Sequence, residues 1–142
     1  MRSSGYFFRA ESFFNVATVT NLQYNDGRLP DYHAQSHGES FLCFLQKGAR
    51  DGVYLMDEPE AALSPQCQLT LMRHIRLMAT EGSQFIIATH SPILLGTPGA
   101  RILNFSEEGV LPVRYEETES SQVTRLFLER RGQMLEELFR DE

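Results

Sequence analysis

The sequence VYLMDEPEAALSP occupies residues 53–65 and decides the fold more than any other stretch of the chain. Its first four residues are apolar and follow an Asp-Gly pair, which predicts a short buried strand. Two carboxylates, Asp57 and Glu58, come directly after this strand. Ser64 and Pro65 then predict the start of a helix, because serine caps helix N-termini and proline suits the first helical position.

A second strand follows at a spacing that suits an α/β fold. Residues 84–88 (QFIIA) predict another buried strand, and His90 lies just beyond it. Between the two strands, Gly82 follows a predicted helix whose apolar stripe consists of Cys67, Leu71, Ile75 and Met78. Strand, helix and strand in alternation predict a parallel sheet, in which ligands bind at the carboxyl ends of the strands. The polar residues after each strand are therefore candidates for chemistry.

The N-terminal flank is predicted to contain two helices. Residues 6–20 place apolar side chains at helical spacing, namely Tyr6, Phe7, Ala10, Phe13, Phe14 and Ala17. Residues 21–35 are polar and turn-like. Residues 36–40 (SHGES) then open a second helix, whose apolar face is formed by Phe41, Leu42, Leu45 and Ala49.

The C-terminal flank is predicted to contain two more strands and further helix. Residues 101–105 and 110–115 are the strand candidates, with a turn at Glu107-Glu108-Gly109 between them. One or two helices follow, marked by Val123, Phe127, Met134 and Leu138 and interrupted at Gly132.

Two adjacent carboxylates at a strand tip suit the transfer of a phosphoryl group to water. That reaction needs a divalent metal and a group that positions the attacking water. An aspartate at a strand end can hold Mg²⁺, usually through water, and the neighbouring Glu58 can polarise the nucleophile. An acidic pair is also an ordinary solvated strand end, so these two residues alone leave both interpretations open.

Three motifs in order give the chain a resemblance to ABC-type ATPases. Residues 53–65 resemble their Walker B motif and D-loop, residues 86–92 (IIATHSP) resemble their switch-histidine strand, and residues 36–40 resemble their signature motif. The sequences of these motifs are most similar to those of soluble, AAA-like bacterial ATPases. The resemblance covers roughly residues 5–140. It implies an α/β fold, a partial parallel P-loop NTPase sheet flanked by helices. Residues 1–142 would be the C-terminal part of one ATPase domain, with the signature region in residues 1–50 and the remaining motifs in residues 51–142.

The resemblance implies a role for each residue at the two strand ends. Asp57 would help to coordinate Mg²⁺, and Glu58 would be the catalytic base. His90 would contact the γ-phosphate of ATP and the attacking water, and would sense ATP.

The resemblance also implies contacts with nucleotide bound to a partner subunit. Ser36 and Gly38 would lie against the γ-phosphate, because a helix N-terminus favours an anion. Glu39, in the same motif, stands where many relatives have glutamine. Ser64 replaces the usual aspartate of the D-loop, at a position that makes contacts between subunits.

One part of such an ATPase is not found in these residues. No Gly-x-x-x-x-Gly-Lys-Ser/Thr run occurs, and Lys47 is the sole lysine. The resemblance therefore predicts ATP hydrolysis in a nucleotide-sandwich dimer that is complete only with an N-terminal half, and no hydrolysis by these residues alone.

An exposed sheet edge, with the apolar faces of residues 6–17 and 121–140, should drive association with a second copy or with the missing half. The alternative is a non-catalytic, degenerate half-domain for dimerisation. A Toprim-type nuclease is disfavoured, because no Asp-x-Asp occurs.

Composition excludes several other classes. The net charge of −6 argues against an autonomous nucleic-acid binder, although a local basic patch could still bind one. No apolar run approaches the roughly 20 residues of a membrane span, and the N-terminus is not typical of a signal peptide. Cys43 and Cys67 lack metal-ligand spacing and are expected to be buried free thiols. We expect a cytoplasmic protein.

Overall fold

A computed structural model of the chain describes residues 5–9, 45 and 51–140. These residues form two compact units, the first ending at Thr89 and the second beginning at His90. Within the described ranges, no helix combines the length and apolarity that a membrane crossing requires.

The first unit is built on a three-stranded parallel sheet. Its strands are β1 (Gly5–Arg9), β2 (Val53–Asp57) and β3 (Gln84–Ala88), in the order β1-β2-β3. Helix α1 (Pro65–Thr80) connects β2 to β3 and follows a short 3-10 helix at Pro59–Ala62. The predicted strand, helix and strand are confirmed, and the fold of this unit is α/β with a parallel sheet.

The two ends of α1 are set by its sequence, as predicted. The Ser64 hydroxyl accepts a hydrogen bond from the Cys67 amide at 3.2 Å, which caps the first turn. At the other end Gly82 has a φ of 103°. The Gly82 amide donates to the Ala79 carbonyl, and the Ser83 amide donates to the Met78 carbonyl at 3.0 Å. This pair of bonds is a Schellman motif, which needs a residue that tolerates positive φ.

The buried face of α1 differs by one residue from the predicted stripe. Leu71, Ile75 and Met78 are buried as expected, but Cys67 is only half-buried and Gln68 is buried instead. The Gln68 side-chain amide donates to the Leu63 carbonyl at 3.3 Å, which satisfies a polar group in the core. Cys67 is a free thiol, as predicted.

The two faces of the sheet differ in burial. On one face the rings of Tyr6, Tyr54 and Phe85 stack in a row, with centroids 4.8 Å apart in each pair and interplanar angles of 12° and 13°. On the other face the strand register aligns Phe7, Leu55 and Ile86. These three side chains, which we call the exposed row, are 70%, 40% and 54% exposed.

The prediction of a helix from residue 6 is wrong for residues 6–9. Gly5–Arg9 form β1, which pairs in parallel with β2 along its whole length. A run of Tyr, Phe and Phe favours a strand, and five residues are too few to distinguish strand alternation from helical spacing. Residues 10–20 lie outside the described ranges.

Most of the predicted second helix also lies outside the described residues, as do Cys43 and Lys47. Leu45 is described, and it is helical and buried. At this one position the predicted apolar helical face is confirmed.

The second unit pairs a β-hairpin with helices. Strands β4 (Ile102–Ser106) and β5 (Gly109–Val113) are antiparallel, and the predicted turn connects them. Helix α2 (Pro92–Leu95) precedes the hairpin, and α3 (Glu119–Leu138) follows a 3-10 helix at Tyr115–Glu117. The Tyr115 hydroxyl donates to the Pro92 carbonyl at 2.9 Å, which joins the 3-10 helix to the first residue of α2. The interruption of α3 was predicted at Gly132, but the non-helical residue is Arg130, with φ −131° and ψ 35°.

Candidate functional site at the carboxyl end of the parallel sheet

The strand register brings three residues into one row at the carboxyl end of the sheet. Arg9 of β1 is aligned with Asp57 of β2, and Asp57 is aligned with Ala88 of β3. All three strands run in the same direction, so their ends lie at one edge, where parallel sheets bind ligands. Asp57 is on the central strand and is therefore flanked on both sides.

Asp57 is held by an ion pair that was not predicted from the sequence. The Arg9 Nε lies 3.2 Å from the Asp57 Oδ2, and the two side chains are 56% and 39% exposed. The Arg9 guanidinium thus helps to hold the Asp57 carboxylate in place, while the carboxylate stays partly exposed to a ligand.

Glu58 has an unusual backbone conformation. Its φ of 46° and ψ of 53° place it in the left-handed region, and it is the one non-glycine residue in the described ranges with positive φ. Its amide donates to the Ala88 carbonyl at 2.8 Å, and its carbonyl accepts from the Ala61 amide at 3.1 Å. These bonds hold a conformation that costs about 1–3 kcal/mol for a residue with a side chain. Such strain is concentrated at functional sites, and the Glu58 side chain is exposed.

The donor set suits a magnesium ion that shares its ligands with phosphate. Within the described residues there is no group of three or more His, Cys, Asp or Glu side chains that could hold a metal ion alone. Mg²⁺ does not need one, since it is commonly bound by one or two carboxylates together with waters and substrate phosphates. The partly exposed Asp57 carboxylate, at the end of the central strand, fits that pattern.

Ser64 has a structural role at the start of α1. Its hydroxyl oxygen accepts from the Cys67 amide and caps α1, as described above. Its predicted contact between subunits stays a prediction.

His90 is exposed and is the first residue of the second unit. The next residue, Ser91, caps α2, because its hydroxyl accepts from the amides of Ile93 at 3.1 Å and Leu94 at 3.2 Å. The backbone just after His90 is therefore fixed by a capped turn, and the role of His90 stays a prediction. Ser36, Gly38 and Glu39 lie outside the described residues.

Comparison with known protein families shows which family the chain resembles. A protein-family model described as "AAA domain, putative AbiEii toxin, Type IV TA system" matches residues 23–96, just over half of the chain. The matched segment includes Asp57, Glu58 and His90. No curated protein and no solved structure matched the chain.

Proposed function

Because the chain belongs to this AAA domain family, we propose that it is part of an ATP-hydrolysing P-loop NTPase of the ABC type. The observation that carries the proposal is the placement of Asp57 and Glu58 at the carboxyl end of the central parallel strand. Active sites of this kind hold Mg²⁺ and the attacking water at such a strand end.

The surroundings of Asp57 and Glu58 support a separate role for each residue. Asp57 would hold Mg²⁺ through Oδ1, usually with an intervening water, while Arg9 keeps Oδ2 fixed. Bound Mg²⁺ would offset the charge of the phosphates. Glu58 would accept a proton from the attacking water, and its two backbone hydrogen bonds fix the point from which the side chain extends.

The remaining assignments rest on the sequence motifs. His90 would contact the γ-phosphate of ATP, and Ser36, Gly38 and Glu39 would complete the site of a partner subunit. Ser64 would contribute at the subunit contact in addition to capping α1. The working form would be a nucleotide-sandwich dimer that includes a phosphate loop from an N-terminal half, in the cytoplasm.

A second candidate function is a non-catalytic module for dimerisation. The observation that favours it is the lack of a Gly-x-x-x-x-Gly-Lys-Ser/Thr run within the 142 residues. The strained conformation of Glu58 favours the catalytic proposal, because strained residues are concentrated at active sites and ligand-binding sites.

Substitutions in a complete ATPase that contains these residues test the catalytic proposal. Glu58→Gln keeps the size of the side chain but removes the charge that accepts the proton. ATP binding should persist, and hydrolysis should fall by about 10²-fold or more. Asp57→Asn should weaken both the Mg²⁺ dependence and the nucleotide affinity. His90→Ala should lower turnover with little change in binding.

The measurements are phosphate release and equilibrium ATP binding, each over a range of Mg²⁺ concentrations. Glu81→Gln is the matched control, because this exposed glutamate lies at the far end of α1 and should leave both quantities unchanged. If the Asp57, Glu58 and His90 variants all hydrolysed ATP like the parent, the catalytic proposal would be wrong and the dimerisation module would be preferred.

A further inference from the structure

Arg9 has no role in the proposed chemistry beyond its ion pair, yet it is the basic member of the row at the carboxyl end of the sheet. Two acidic neighbours, Asp57 and Glu58, follow one another at the end of the adjacent strand. A site with only these carboxylates would attract any divalent cation. The positive charge of the Arg9 guanidinium makes the site less attractive to a free divalent cation and more attractive to phosphate.

The Arg9 guanidinium is accessible to a ligand in spite of its ion pair. Its Nε lies 3.2 Å from the Asp57 Oδ2. The side chain is more than half exposed. Guanidinium groups bind phosphate oxygens well, because their planar N–H donors match the spacing of the oxygens.

The positive charge of Arg9 repels one class of ligand and attracts another. A bare divalent cation at the Asp57 Oδ1 would lie within several Å of the guanidinium and would be repelled by it. A divalent cation that arrives with a polyphosphate brings net negative charge, which the guanidinium attracts. A single residue can therefore weaken binding of the free metal and strengthen binding of the metal–polyphosphate complex.

We propose that Arg9 is a specificity-determining residue, which makes the site accept a divalent metal–polyphosphate complex in preference to the free metal ion. This inference rests on the proposed function, because it assumes that phosphate binds at the Asp57 end of the sheet. It adds a ligand-contacting residue that the sequence motifs did not include.

The test uses the 142-residue chain and its Arg9→Gln variant at low ionic strength. Amide resonances of Asp57 and Glu58 are followed by NMR during titration with MgCl₂ alone and with magnesium tripolyphosphate. In Arg9→Gln the Kd for free Mg²⁺ should fall about three- to tenfold, and the Kd for magnesium tripolyphosphate should rise by a similar factor. Arg9→Lys keeps the charge but loses the planar donors, so its Kd for free Mg²⁺ should stay close to that of the parent.

Arg114→Gln is the matched control. Arg114 forms a similar exposed ion pair, with Glu117 at 3.0 Å in the second unit, so the variant has the same change in net charge. It should alter neither Kd. Unchanged resonances from the remainder of β1, β2 and β3 would establish that Arg9→Gln folds.

The outcomes separate the two proposals. If the parent responds to magnesium tripolyphosphate but Arg9→Gln shifts both Kd values in the same direction, or shifts neither, the role of Arg9 is wrong and the proposed function stands. If Asp57 and Glu58 of the parent respond to neither ligand, the role of Arg9 is wrong. The proposed function depends on the phosphate loop of an N-terminal half, and the substitutions in the complete ATPase test it separately.

Discussion

At the scale of single residues, Glu58 combines an acidic side chain with a backbone conformation that favours glycine. The left-handed region is disfavoured for residues with a Cβ, and it is held here by hydrogen bonds to Ala88 and Ala61. Glycine and asparagine adopt this conformation more readily than glutamate does. A glutamate held in it is therefore a candidate for a functional role.

Comparison of Glu58→Gly with Glu58→Ala measures this strain. Both changes remove the carboxylate, but only glycine removes the Cβ that disfavours φ of 46°. We expect Glu58→Gly to be more stable than Glu58→Ala by about 1 kcal/mol, measured by urea unfolding of the 142-residue chain. In an ordinary helix or strand the alanine variant is the more stable one, since glycine lowers the free energy of unfolding by about 0.5–1 kcal/mol relative to alanine. An alanine variant as stable as the glycine variant would show that Glu58 is not strained.

Sequence reasoning found part of this site. The strand-end position of Asp57 and Glu58 followed from four apolar residues before them, and the cap at Ser64 followed from the proline after it. Arg9 was not found, because its partner lies on another strand and the segment before β2 gives no local sign of the pairing. The conformation of Glu58 was not found either, because it depends on the Ala88 carbonyl of the neighbouring strand.

At the scale of elements, α1 shows why some boundaries are easy to predict. Its start is specified by Ser64-Pro65, and its end by a glycine that completes the Schellman motif. These signals are local and act on the adjacent backbone. The β1 strand has no such signal, because its conformation is fixed by pairing with β2, which is distant in the sequence. In α3 the break occurs at Arg130 and not at the glycine that the composition favoured; the structure gives no physical account of this position.

Gly82→Ala tests the C-terminal signal of α1. An alanine Cβ at Gly82 would meet no atom within 4 Å, so the cost would arise from the φ of 103° alone. We expect a loss of about 1–2 kcal/mol in the free energy of unfolding, measured by urea unfolding. Gly5→Ala is the control in the same unit, because it also has open space but no positive φ. Gly5→Ala should not lower the free energy of unfolding. Equal losses in the two variants would show that the positive φ of Gly82 is not the cause.

At the scale of the whole molecule, one face of the parallel sheet carries exposed apolar side chains within residues 5–9, 45 and 51–140, which the structure describes. Parallel sheets are normally covered on both faces, yet the exposed row of Phe7, Leu55 and Ile86 lies opposite the stacked rings. The sequence predicted the α/β class, the parallel sheet and an apolar surface available for association. It placed that surface at a sheet edge and on the helices predicted over residues 6–17 and 121–140, whereas residues 5–9 contribute a strand with Phe7 on the exposed row.

Self-association should depend on the exposed row. We expect the 142-residue chain to form a dimer or larger species at micromolar concentration, measured by light scattering, because the row offers apolar area to a second copy. Ile86→Lys should raise the dissociation constant by about tenfold or more, since burial of an unpaired ammonium is costly. Leu77→Lys is the control, because Leu77 is equally exposed but lies on α1, outside the row. A monomeric parent, or equal effects of the two lysines, would contradict this prediction.

The stacked rings of Tyr6, Tyr54 and Phe85 give the protein a built-in optical reporter. The chain has no tryptophan and five tyrosines, so its near-ultraviolet signal comes mainly from phenol rings. Burial, followed by the nearby charges of Tyr6 and Asp51, raises the pKa of Tyr54 above its ordinary value. Ionisation of Tyr54 should therefore need a higher pH than ionisation of a phenol with the ordinary pKa. The late part of the tyrosinate absorbance, and the quenching that accompanies it, would then report on the strand that ends in the two carboxylates, without any added label.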